Sequence, residues 1–131
     1  VSYLDKLQAG REIVETTDPF PIESETDRIY KAVEGDVVVS VAGAADDSET
    51  VTVARGAASG GVSVPSDVVV WNPWIDKAAR MGDFGDEEWH SMLCVEPGHV
   101  QSFRTLAAGE TYELWQRLSA KGGATTRAAA L

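Results

Sequence analysis

The sequence predicts an all-β fold, an antiparallel β-sandwich with one or two short helical turns. Short runs rich in β-branched residues recur along the chain, and 12 glycines and 5 prolines are scattered between them. This is the pattern of short strands joined by turns. Strands at such spacing are typical of a sandwich or barrel and not of parallel strands linked by helices. The predicted strands cover residues 11–16, 20–24, 36–42, 49–55, 67–71, 92–96 and 100–104.

The valine-rich runs predict how these strands are buried. Val51 and Val53 alternate with small or polar residues, so their strand is expected to bury one face and expose the other. The valines at 37–39 and 68–70 do not alternate, which fits strands covered on both faces. These two runs are therefore the predicted centre of the core.

Other segments do not follow the strand pattern. Residues 73–81 place apolar side chains at helical spacing, and residues 86–89 open with acidic residues; both are predicted to be short helical turns. Residues 110–120 are ambiguous, because positions 114, 115 and 118 suit a helix face while 112, 114 and 118 suit a strand. Periodicity slightly favours the helix. Residues 57–61 predict a hairpin tip, and residues 121–131 predict a flexible tail without a core pattern.

Composition excludes several classes of protein. The chain has 131 residues, enough for one domain, and 21 acidic against 11 basic residues give a net charge of −10. That charge repels a phosphate backbone or an anionic membrane, so neither is an expected partner. Cys94 is the single cysteine, which excludes an internal disulfide and a thiol cluster for zinc. The sequence has neither a membrane-spanning run nor a signal peptide, and we expect a cytoplasmic protein. It begins at Val1 inside patterned sequence, which suggests a piece of a longer chain.

Familiar catalytic motifs are absent, and no cofactor or metal is expected. Glu96 closes the apolar run 92–95. Its carboxylate is expected to begin at the rim of the core, where desolvation can tune it as a proton acceptor; the alternative is a strand-end side chain in solvent. The aromatic pair Trp71 and Trp74 flanks an Asn-Pro step. These rings are either core residues or a wall for a sugar ring, whereas the remaining tryptophans, at 89 and 115, are predicted to be core residues.

The other candidate groups are a carboxylate and two imidazoles. Asp27 lies in a densely charged segment, where the simplest alternative is an exposed residue paired with an Arg. His90 is predicted to lie on the surface. His99 follows Glu96 by three positions, and odd spacing along an extended chain points side chains to opposite faces. An acid-base pair between them would need a turn at residues 97–98.

Five blocks in order along the chain resemble one family. They are SYLDK at 2–6, TDRIY at 26–30, VVWNPW at 69–74, MGDFGD at 81–86 and LCVEPG at 93–98. Together they resemble the hexose-6-phosphate mutarotases, a branch of the galactose-mutarotase-like superfamily. The resemblance implies a β-supersandwich and an isomerase that interconverts the α and β anomers of glucose 6-phosphate. It also implies a closing strand over 110–118, which we adopt in place of the helix.

The resemblance also implies roles for individual residues. Glu96 matches the general base, and Asp27 matches the carboxylate that binds sugar hydroxyls. Trp71 could offer an apolar face to the ring, a role inferred from its chemistry. Family members are longer, and residues 1–120 look like the C-terminal half. The catalytic His and the phosphate-binding Arg residues belong to the missing N-terminal half, which is thus an expected partner beside the sugar phosphate. The chain alone is expected to be weakly active or inactive; the alternative is a non-catalytic carbohydrate-binding or structural β-sandwich fragment.

Overall fold

The computed structural model describes residues 1–40 and 49–122, and antiparallel strands dominate this part of the chain. The strands are β1 (Ser2–Asp5), β2 (Arg11–Val14), β3 (Thr26–Val33), β4 (Val37–Ser40), β5 (Thr50–Ser59), β6 (Val62–Val64), β7 (Ser66–Asn72), β8 (Cys94–Gly98) and β9 (Tyr112–Lys121). One short helix, α1 (Trp74–Ala78), and two 3-10 turns, Lys6–Gln8 and Glu88–Ser91, complete the regular structure of the described residues. The predicted all-β class is confirmed.

The strands form two sheets. The first has the order β2-β1-β3-β7-β8, and every neighbouring pair in it is antiparallel. In the second, β5 pairs along its whole length with β9 on one side, and with β4 and then β6 on the other. The strand that the resemblance implied near residues 110–118 is thus confirmed as β9, against the helical periodicity.

The core lies on one face of the five-stranded sheet. Its buried residues are Tyr3, Tyr30, Val68 and Val70, contributed by β1, β3 and β7. The aromatic rings of Tyr3 and Tyr30 lie 5.1 Å apart. Partly buried apolar side chains pack against this cluster: Ile13, Phe20, Ile22, Val33, Val37, Leu93 and Val95. The prediction that residues 68–70 lie at the centre of the core is confirmed for Val68 and Val70.

The opposite face of the same sheet is chemically different. Because successive strand residues point to opposite faces, residues two apart on each strand share this face with their partners in register. We call it the site face. It carries Leu4, Asp27, Ile29, Asp67, Val69, Trp71, Cys94 and Glu96.

Two predicted strands are wrong. Residues 20–24 pair with no strand in the described chain; Phe20 and Ile22 instead pack their side chains onto the core. Residues 100–104 are also irregular. There the backbone N–H groups of Val100 and Gln101 donate to the carboxylate of Asp67 and not to a neighbouring strand.

Other details differ from the sequence pattern. The run at 37–39 is an alternating strand with Val38 58% exposed, so only one face of β4 is covered. Trp115 is 54% exposed and not a core residue. The hairpin between β5 and β6 turns at residues 60–61, inside the predicted tip of 57–61 but narrower, because β5 continues to Ser59. Strands β1, β3 and β6 had no counterpart in the prediction.

The predicted helical turns are confirmed as α1 and as the 3-10 turn Glu88–Ser91. Residues 41–42 of the predicted strand 36–42, and residues 123–131 of the predicted tail, lie outside the described residues. Lys121 still belongs to β9. No helix in the described ranges has the length and apolar character needed to cross a membrane.

Candidate active site

The register of β3, β7 and β8 places three of the sequence-predicted site residues on the site face. Asp27 of β3 is the direct partner of Trp71 on β7. Trp71 is in turn the partner of Cys94 on β8. Glu96 follows Cys94 by two positions and so points to the same side of the sheet. Asp27, Trp71 and Glu96 therefore face one region of space from three adjacent strands.

Asp27 is buried, with 9% of its surface exposed. The ammonium of Lys6 lies 2.9 Å from Asp27 Oδ1. That oxygen is shielded from solvent and accepts no hydrogen bond of good geometry from the described residues, so the contact is an ion pair. The alternative considered for this residue, an exposed carboxylate paired with an arginine, is wrong: the residue is buried and its partner is a lysine.

Trp71 is half-buried and has a second lysine beside it. The Lys77 ammonium, carried by α1, lies 5.7 Å from the centroid of the Trp71 ring, within the range of a cation–π contact. The same ammonium is 3.2 Å from Glu25 Oε1. Trp71 therefore lies between its strand partner Asp27 and the charged end of α1.

Asn72 anchors the long connection between β7 and β8, residues 73–93, which we call the excursion. It is buried, and its Nδ2 donates to the carbonyl oxygens of Trp89 at 2.9 Å and Met92 at 2.8 Å. Its Oδ1 accepts from the N–H of Trp74 at 2.8 Å, which holds Trp74 at an unusual φ of +58°. The rings of Trp74 and Trp89 pack with centroids 4.3 Å apart. These two tryptophans support the excursion, while Trp71 alone of the predicted pair belongs to the site face.

Glu96 lies on β8 opposite Val69, and its side chain is exposed. The expectation that its carboxylate begins at the rim of the core does not hold for the described chain. Its neighbour is the thiol of Cys94. Burial raises the pKa of Cys94, and the negative charge of Glu96 and a hydrogen bond to it raise that pKa further. The two side chains are thus close enough to interact.

Asp67 lies on the site face opposite Gly98, two residues along from the pair formed by Val69 and Glu96. Its carboxylate binds the backbone of the segment that follows β8. Its Oδ2 accepts from the N–H groups of Val100 and Gln101, both at 3.0 Å, and its Oδ1 accepts from the N–H of Ala32 at 3.2 Å. Burial opposes ionisation of this carboxyl, but the backbone donors and the charge of His99 outweigh burial and hold the pKa of Asp67 below its ordinary value.

Neither imidazole is placed to act with Glu96. His90 is exposed, as predicted, with its Nε2 3.2 Å from Glu87 Oε2. His99 lies edge-on to the Tyr112 ring at 5.7 Å. Among the described residues neither one hydrogen-bonds to Glu96, and no group of three or more His, Cys, Asp or Glu side chains is arranged to hold a metal ion.

Several residues of this site had no signal in the sequence. Lys6 reaches Asp27 from a turn that is distant in sequence, and only the pairing of β1 with β3 brings it there. Lys77 reaches Trp71 from α1, the short helix that follows β7. Cys94 could have been found by alternation, because it precedes Glu96 by two positions on a predicted strand.

Comparison with known proteins identifies the family of the chain. The family model for aldose 1-epimerase matches residues 4–119. A Cenchrus ciliaris protein named "Putative glucose-6-phosphate 1-epimerase" is 38% identical over 112 residues, which are 86% of this chain and 31% of that protein. The chain thus spans about a third of the length of this relative. No solved structure gives a significant match. The chain belongs to the aldose 1-epimerase family.

Proposed function

We propose that this chain is the C-terminal part of an isomerase that interconverts the α and β anomers of glucose 6-phosphate, or of a closely related hexose 6-phosphate. The observation that supports the proposal best is the common orientation of Asp27, Trp71 and Glu96 on three adjacent strands. The name of the Cenchrus ciliaris relative supports the phosphorylated substrate.

The spacing of the two carboxylates suits a sugar. Asp27 and Glu96 lie on strands separated by β7, and Glu96 is two residues along β8 from Cys94, the position level with Asp27. With about 4.8 Å between strands and about 3.4 Å per residue, their Cα atoms are about 12 Å apart. Side chains that lean toward each other leave a gap that a pyranose ring with its hydroxyls can bridge. The half-buried indole of Trp71, beside Asp27, offers an apolar surface for the ring carbons.

The reaction then consists of two linked proton transfers. Glu96 accepts the proton of the anomeric hydroxyl while an acid protonates the ring oxygen, and the C1–O5 bond breaks to give the open-chain aldehyde. The C1–C2 bond rotates. The C5 hydroxyl attacks the other face of the aldehyde as it loses its proton to the conjugate base of the acid, and the protonated Glu96 returns a proton to the carbonyl oxygen. Asp27 holds the sugar by accepting hydrogen bonds from its hydroxyls.

The acid is assigned to a preceding part of the polypeptide. The family resemblance places the catalytic His there, and neither His90 nor His99 lies in its motif. The share of the relative that this chain covers, 31%, supports a longer enzyme with an N-terminal partner segment. The phosphate-binding groups are assigned to that segment too. A cytoplasmic location stays a prediction.

The test measures anomer exchange of glucose 6-phosphate by NMR in three samples: the chain alone, the chain with the N-terminal segment supplied, and the full-length enzyme. We expect exchange from the last two and little from the first. Glu96→Gln in the full-length enzyme should lower kcat by about 10²- to 10⁴-fold, the usual range for a general base, while Glu113→Gln on exposed β9 should leave it unchanged. Unaltered exchange in the Glu96 variant would refute the assignment of Glu96 as the base. Exchange of unphosphorylated sugars alone would refute the proposal that the substrate is phosphorylated.

A non-catalytic carbohydrate-binding or structural fragment is the second candidate. The observation in its favour is that, within the described ranges, the exposed Glu96 has no imidazole partner. This candidate predicts no exchange in any of the three samples. Retained sugar binding would then indicate a binding module, and absence of binding a structural domain.

A further inference from the structure

The ion pair at Asp27 is asymmetric. The side chain of Asp27 is 12% exposed, whereas that of its partner Lys6 is 50% exposed. The ammonium lies on Oδ1, the oxygen that is shielded from solvent. A buried carboxylate oxygen without a counter-charge is costly, so Lys6 balances Oδ1 and leaves Oδ2 to accept a hydrogen bond from a ligand.

Lys6 is delivered by a turn with its own hydrogen bonds. Asp5, only 8% exposed, caps the 3-10 turn: its Oδ1 accepts from the N–H of Leu7 at 2.9 Å, and its Oδ2 accepts from Gln8 Nε2 at 2.7 Å. The turn closes with the N–H of Gly10 donating to the carbonyl of Asp5 at 2.8 Å. The backbone around Lys6 is thereby fixed beside β3, and its ammonium lies within reach of Asp27.

We propose that Lys6 is a positioning residue for sugar binding, which acts by holding Asp27 in the orientation that accepts the sugar hydroxyls. The inference rests on the proposed function. Lys6 touches Asp27 and not the reacting atoms, so its loss weakens binding of the sugar in the ground state and in the transition state alike. Such a residue changes KM and leaves kcat nearly constant.

The experiment uses the full-length enzyme with Lys6→Met, Lys6→Arg and the matched control Lys31→Met. Lys31 also forms an ion pair on the five-stranded sheet, with Glu12, but does not touch Asp27. KM and kcat are measured with both glucose 6-phosphate and glucose. Kd for each sugar is measured in parallel by NMR titration, so that binding is observed even without turnover.

We expect Lys6→Met to raise KM and Kd by about tenfold for both sugars, equivalent to about 1.4 kcal/mol, with kcat within about twofold. Lys6→Arg should recover most of the affinity, since a guanidinium also pairs with a carboxylate, and Lys31→Met should match wild type. An effect confined to the phosphorylated sugar would mean that Lys6 contacts phosphate directly, and would overturn the positioning role. So would a fall in kcat at constant KM, or equal effects of the Lys31 variant.

The two proposals fail in different ways. Binding of glucose 6-phosphate without exchange would overturn the epimerase activity, and the Lys6 variants would still be judged by Kd. Absence of both exchange and sugar binding in the wild type would overturn the inference on Lys6 as well.

Discussion

Replacement of Asp67 by Asn tests whether one carboxylate holds together the end of β3 and the segment after β8. The substitution keeps the shape of the side chain and removes its charge and one of its two acceptor oxygens. Three backbone N–H groups now donate to Asp67: those of Val100, Gln101 and Ala32. In the variant, the amide nitrogen must face at least one of these donors.

The expected cost follows from these three hydrogen bonds. A hydrogen bond to a charged group contributes about 1.5–3 kcal/mol, against about 0.5–1.5 kcal/mol for a neutral pair. If the remaining oxygen stays with Val100 and Gln101, the Ala32 bond is lost and the other two become neutral. We expect Asp67→Asn to lower the free energy of unfolding by about 3.5–6 kcal/mol at pH 7, a large share of the stability of an ordinary domain.

The same difference should depend on pH. Because the folded pKa of Asp67 is lowered, its contribution is fully present above the unfolded value of about 3.9 and is lost as the pH falls through the folded pKa. Asn does not titrate. The stability gap between wild type and variant should therefore be constant above about pH 5 and should narrow steadily below about pH 4.

Urea unfolding of both proteins at pH 7 and pH 3 measures this gap, with Asp76→Asn on the exposed surface of α1 as the control. The control should change the free energy of unfolding by less than about 0.5 kcal/mol. A gap for Asp67→Asn that is equally large at both pH values would show that the charge does not matter. A gap below about 0.5 kcal/mol at pH 7 would refute the role of Asp67 in holding these segments.

Three further predictions concern the site and its surroundings. Because the charge of Glu96 raises the pKa of Cys94, Glu96→Gln should speed alkylation of the thiol by iodoacetamide several-fold at pH 8. An unchanged rate would show that the two side chains do not interact. Asn72→Ala removes three hydrogen bonds in the excursion and should cost about 2–4 kcal/mol in urea unfolding, whereas a cost under about 1 kcal/mol would contradict its anchoring role. A Cβ at Gly56 would lie 2.6 Å from the Trp115 indole. Gly56→Ala should therefore lower the free energy of unfolding by about 1 kcal/mol in the wild type and leave it unchanged in a Trp115→Ala background; equal effects in both backgrounds would disprove the contact.

The fold could be predicted at the level of class, and the exceptions have physical causes. β3 was missed because Asp27, Arg28 and Lys31 interrupt its apolar pattern, although each finds a partner in the folded chain. The segment at 20–24 looked like a strand because Phe20 and Ile22 alternate, but that alternation serves side-chain packing without a ladder of hydrogen bonds. A period of two is a rule about side chains and says nothing of where the backbone N–H groups go.

The site was predictable only in part, for a related reason. Family resemblance pointed to Asp27 and Glu96, and chemistry pointed to Trp71. Their roles remain predictions, but their common face follows from register. Lys6 could not be found, because its contact with Asp27 depends on β1 lying beside β3, and β1 itself carried no strong strand signal. A charge pair between strands is invisible until the pairing is known.

The positions of β3 and β8 within the five-stranded sheet explain why burial differs so much between the two carboxylates. Asp27 lies on the central strand β3 and is covered by Lys6 from the adjoining turn, whereas Glu96 lies on the edge strand β8 and is exposed. A sugar bound across both would meet a fixed carboxylate at one end and a solvated one at the other. A general base works best where water is excluded and its charge is set by fixed neighbours. Under the proposed function, the N-terminal segment must therefore do more than supply an acid: it must also cover Glu96, so the base, more than Asp27, depends on the complete enzyme.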